Sequence, residues 1–153
     1  MAQVNASVGG TSEAISGSSS VTDFETALQM VYNRFTNNKL DPEAAKGALA
    51  NQKDFMQNME KTPTPEKVFN DSVQVVMGNG AYRAQPMTSE RMTKVDPVKA
   101  MKIFSERFNN GSDFEFTFVG NFDIEKIKPL LATYLGGIPG TQKKETFSDL
   151  NIV

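Results

Sequence analysis

The side chains able to do chemistry in this chain are carboxylates, because neither histidine nor cysteine occurs among its 153 residues. Glu43, Asp54 and Glu60 share one stretch, and Glu25 stands near the start of another. A carboxylate pair divides general-acid and general-base work only when a pocket holds the two at a fixed separation. The spacing of Glu43, Asp54 and Glu60 instead suits the solvated face of a helix, and Glu25 suits a helix cap. Without imidazole or thiolate, a zinc site would have carboxylates as its only protein ligands, and a serine nucleophile would lack its usual base. The residues therefore predict no catalytic, metal-binding or cofactor-binding site in this segment.

Two glycine-bearing stretches invite a binding role. Gly120-Asn121, at the corner where FTFVGNFD (116–123) turns from an aromatic run into a helix start, offers free amides of the kind that hold phosphate. One glycine stands where a G-x-G-x-x-G loop needs three, and Asp123 places negative charge where the anion would sit. A turn followed by a capped helix is the favoured reading. In GNGAYRAQP (78–86), Tyr82 and Arg83 suit an anion or a peptide carbonyl. The favoured reading there is a helix end and a surface loop, with Tyr82 anchoring the loop to the core.

Sixteen basic against eighteen acidic side chains give a net charge of -2 without a basic cluster, which argues against a nucleic-acid partner. No apolar run approaches the roughly 20 residues of a membrane span, and the first 20 residues lack a signal-peptide pattern. Any export signal is expected outside this segment. The absence of cysteine fits any redox compartment.

The elements follow from periodicity and punctuation. Residues 3–20 alternate loosely about Val4, Ala6, Val8 and then Ala14 and Ser16, with Gly9-Gly10 between, and predict a hairpin or two short strands; the serine-rich part also fits a flexible linker. Thr22 and Glu25 have capping-box spacing ahead of a helix over about 23–36. Asp41-Pro42, Thr64-Pro65 and Asp96-Pro97 each start a further helix, running to about Glu60, to Gly78 and to Asn110-Gly111. Ala45, Ala48, Leu49, Phe55, Met56 and Met59 of the first of these, and Val68, Phe69, Val73, Val76 and Met77 of the second, are offered to a core. A helical turn is expected around Ser89 to Thr93.

Phe114, Phe116 and Phe118 alternate with Glu115, Thr117 and Val119, the signature of a strand with one buried face. Asp123 then caps a last helix over about 124–135, with Phe122 and Ile127 at hydrophobic-staple spacing and a kink expected at Pro129. The tail from Pro139 reads as an exposed connector. Five helices and about three strands predict an α+β fold, a small mostly antiparallel sheet with helices packed on one face.

The order of these elements resembles the pitrilysin/insulinase family of zinc metallopeptidases, the inverzincins, from about Val4 to Phe147. Phe118-Val119-Gly120-Asn121-Phe122-Asp123 and Tyr134-Leu135-Gly136-Gly137-Ile138-Pro139 are the positions that carry the likeness. The family's zinc site is an H-x-x-E-H helix with a downstream glutamate, for which this chain has no matching histidine. The family's helper arginine and tyrosine have no counterpart here either, since Arg83 and Tyr82 lie in the wrong place. The resemblance thus implies one partial, inactive peptidase-like domain over 1–153: strands in 1–20, a helical layer in 21–110, a strand-helix unit in 111–138 and a connector in 139–153. It implies part of a metallopeptidase-like α/β roll with a structural, substrate-enclosing role in a multidomain zinc protease. Zinc and the other domains are then expected elsewhere in that protein, which the likeness places in a bacterial periplasm or cell envelope. The alternative expectation is a module that binds a peptide or a second copy of itself through an exposed sheet edge.

Overall fold

A computed structural model describes residues 1–141 and 146 and shows an α+β fold with one two-stranded antiparallel sheet and six α-helices. The chain divides into two units, one formed by residues 1–39 and 101–146 and the other built on residues 40–100.

The first unit begins with the hairpin. Strands β1 (Gln3–Val8) and β2 (Glu13–Ser18) pair with Val4 opposite Gly17 and Ala6 opposite Ile15. The Gly9 amide closes the turn onto the Ser12 carbonyl at 2.8 Å. Val4 is buried on the inner face, and a Cβ at position 17 would lie 2.5 Å from the Gln3 carbonyl oxygen and 3.1 Å from Val4. Glycine at 17 thus lets the two strands close over Val4. The serine-rich stretch is strand as far as Ser18, because pairing with β1 satisfies its backbone.

Helix α1 (Phe24–Thr36) buries Leu28 and Phe35. Its start differs from the capping box expected at Thr22. A short 3-10 turn, Val21–Asp23, precedes it, and the Ser20 hydroxyl accepts from the Asp23 amide. Glu25 does not reach back to a cap amide and is drawn instead to Tyr134 of the last helix. A tertiary partner outcompetes the local bond.

Phe108, fully buried just past the end of α5 (Pro97–Arg107), is the centre of an aromatic core. Its ring stacks on Phe104 at 4.5 Å and on Phe114 at 5.4 Å, and meets Phe35 edge-on at 5.9 Å. Such pairs add roughly 0.5–1.5 kcal/mol beyond burial. The alternation of 114–119 is real: Phe114, Phe116 and Phe118 are half-buried while Glu115, Thr117 and Val119 are exposed. Phe118 sets its ring edge-on to Phe24. Yet the stretch forms no strand. Alternation decides which way side chains face, but a strand also requires a neighbour, and β1 and β2 are paired with each other.

Helix α6 (Ile124–Tyr134) starts on Asp123, whose carboxylate accepts from the Glu125 amide at 3.0 Å, and runs through Pro129 to Tyr134. Beyond it, the expected exposed connector is tied down over its described part. Gly111 donates to the Pro139 carbonyl at 2.7 Å, and Thr141 donates to the Asn110 carboxamide at 2.7 Å. Asn110 is the buried polar residue of this corner, so its oxygen demands donors. Residues 142–145 and 147–153 of the connector lie outside the described residues.

In the second unit, α2 (Pro42–Lys61) and α3 (Pro65–Met77) start as read, on the Asp41 carboxylate and the Thr64 hydroxyl. Neither helix buries a residue. Ala45, Leu49, Met56 and Met59 are half-buried, while Ala48, Phe55, Val68, Phe69, Val73, Val76 and Met77 are exposed rather than core. An apolar stripe buries itself only against a second surface. The helical turn α4 (Ser89–Met92) packs on α2, and a short 3-10 turn, Tyr82–Ala84, packs on α3.

Candidate functional site

The carboxylates singled out by sequence do not converge. Glu43 and Asp54 are exposed on α2. Glu60, also exposed, binds Ser89, accepting from its amide at 2.6 Å and its hydroxyl at 2.5 Å. This caps α4 from another helix, and the Ser89 hydroxyl, then its amide, hold the Glu60 carboxyl below the usual glutamate range. Nothing in the sequence near Glu60 announced that partner, 29 residues away.

The 78–86 loop is organised by a residue that sequence reading passed over. The Arg91 guanidinium donates to the carbonyls of Tyr82 (2.9 Å), Gln85 (2.9 Å) and Pro86 (3.1 Å) and lies 4.4 Å over the Tyr82 ring. Tyr82 does not anchor the loop to a core: its ring is exposed and serves as the shelf for Arg91. Asn79 and Gly80 turn the chain with positive φ of 42° and 75°. Both terminal nitrogens of Arg91 go to the backbone, while its buried Nε finds no partner among the described residues, which makes this a structural clasp.

Gly120 has negative φ, and a Cβ there would meet only Phe122, at 3.8 Å. It is neither a left-handed turn nor a close approach to a ligand, as a phosphate loop demands. The corner is a turn feeding a capped helix.

The feature with the dimensions of a site is a cavity of about 730 Å³ within the first unit. Its floor is apolar, from Phe24, Leu28 and Val31 on α1 and Ile127 and Leu130 on α6. Val4, Ile15 and Gly17 of the hairpin line it, and so do the consecutive residues 17–20 and 115–120. Glu25, Glu115, Asp123 and Lys126 stand at it. Glu25 is taken by the Tyr134 hydroxyl at 2.8 Å, and Asp123 by the α6 amide. Among the described residues, no group of three or more carboxylates, histidines or cysteines is placed to hold a metal ion. The cavity offers an apolar bed.

Over 120 residues the chain is 35% identical to a protein described as "Zinc protease PQQL-like" from Arabidopsis thaliana, a match covering 78% of this chain. The chain is related to a zinc protease. The match spans 12% of that relative's length, so the relative is a far larger polypeptide. No family model matches the chain, and no solved structure matches it. The residues present do not fit a zinc site, for want of any histidine or cysteine and of clustered carboxylates among the described residues. No described helix is long and apolar enough to cross a membrane.

Proposed function

We propose that residues 1–153 are a non-catalytic, peptidase-like segment of a multidomain zinc protease, a metal-free unit of the pitrilysin/insulinase type that helps to enclose a peptide substrate. The observation that carries this reading is the pairing of 35% identity to a zinc protease-like protein with a sequence wholly lacking histidine and cysteine. The catalytic zinc then belongs to another part of the polypeptide. The exposed apolar residues of α3, with Phe69 at 67% and Val76 at 77% exposure, support a segment that other domains cover.

The test is a peptidase assay on the 153-residue chain, with casein and with unstructured peptides, in the presence of added zinc and then of a chelator. No turnover is expected under either condition. Chelator-sensitive cleavage by this chain would sink the proposal.

A further inference from the structure

Backbone polar groups in a partly buried stretch must find partners in protein or water. From Glu115 to Val119, ahead of the bend at Gly120-Asn121, the chain alternates its side chains and contributes neither an N–H nor a carbonyl to any backbone hydrogen bond among the described residues. The ladder of a strand is present without its partner. The hairpin has free outer edges as well, being a sheet of two strands. Both stretches, 17–20 and 115–120, line one cavity whose bed is the apolar faces of α1 and α6.

We propose that this cavity is a strand-sized slot in an incomplete sheet, filled by a β-strand from the same polypeptide outside residues 1–153. The donor has a stated chemistry: about six residues in extended form, alternating apolar and polar side chains, with its apolar side on the half-buried Phe24, Ile127 and Leu130. Both of its edges must be free, since two extended stretches line the slot. A second copy supplies no such strand from its described residues. Its β1 and β2 each have one edge occupied, and its 114–119 stretch is held by Phe114 on Phe35 at 5.0 Å and Phe118 on Phe24 at 5.6 Å. A longer polypeptide supplies one readily, and the relative is about eight times the length matched here. The inference rests on reading the chain as a piece of a longer polypeptide and is indifferent to whether that polypeptide cleaves anything.

Amide hydrogen exchange tests it, on the 153-residue chain and on the polypeptide as its gene encodes it. In the isolated chain the 115–119 amides are expected to exchange at rates near those of an open chain. In the encoded polypeptide the slot-facing ones slow by roughly ten-fold or more, as paired strand amides do. Exchange left fast in the encoded polypeptide would overturn the proposal. So would protection in the isolated chain that rises with its concentration, which assigns the slot to a second copy. A third arm adds a blocked hexapeptide alternating valine and threonine to the isolated chain. Protection by that peptide, with none in the encoded polypeptide, would assign the slot to peptides in trans and overturn the proposal. The readout is backbone protection, not turnover, so its failure is distinguishable from failure in the peptidase assay.

Discussion

The Tyr134 hydroxyl donates to the Glu25 carboxylate at 2.8 Å and accepts from the Gln29 carboxamide at 3.0 Å, joining the end of α6 to the first turns of α1. These contacts bridge residues more than a hundred positions apart. Replacing Tyr134 with Phe keeps the ring and removes both bonds. The expected cost is about 0.5–1.5 kcal/mol, near the low end because the carboxylate is left with water, read as a lower urea midpoint at unchanged slope.

Phe108 has no exposed surface and touches the rings of Phe35, Phe104 and Phe114. Phe108→Ala leaves a cavity that these rings fill only in part, and should cost about 3–5 kcal/mol. Phe69→Ala, on the exposed face of α3, should change stability by less than about 0.5 kcal/mol in the same chain. Equal effects of the two substitutions would contradict the assignment of the core to the first unit.

Asn110 closes the 110–113 turn by accepting from Ser112 and Thr141 and donating to Asp113 at 2.7 Å. Asn110→Ala orphans the Thr141 amide and should destabilise by about 1–3 kcal/mol. The Thr141 amide should exchange faster in the variant, read by hydrogen exchange under native conditions.

Glu60 titrates below its ordinary value of 4.5 because Ser89 stabilises the carboxylate. A depressed folded-state value means that this contribution is present above the unfolded pKa and is lost as pH falls through the folded one. NMR of the side-chain carboxyl should therefore place its midpoint below 4.5, and Ser89→Ala should raise it. An unchanged midpoint in the variant would show that Ser89 is not the cause.

Much of this architecture was legible in local signals. Asp41-Pro42, Thr64-Pro65, Asp96-Pro97 and Asp123 start helices in the structure as their types require, because a capping oxygen and a proline ring act within one turn of chain. The hairpin was legible from the alternation about Val4, but its second strand runs in the other phase: Ile15 stands opposite Ala6, while Ala14 and Ser16 are exposed, because register is set by the pairing with β1.

Tertiary structure decided what depends on partners distant in sequence. Glu25 turned from cap to Tyr134, Glu60 went to Ser89, Arg91 rather than Arg83 clasped the 82–86 loop, and the stripe of α3 met solvent. The period-2 pattern of Phe114, Phe116 and Phe118 determined by itself which side those rings take. Whether the stretch becomes a strand is a matter of which backbone lies alongside it, and hydrogen bonding between chains leaves no mark on the residues of one of them.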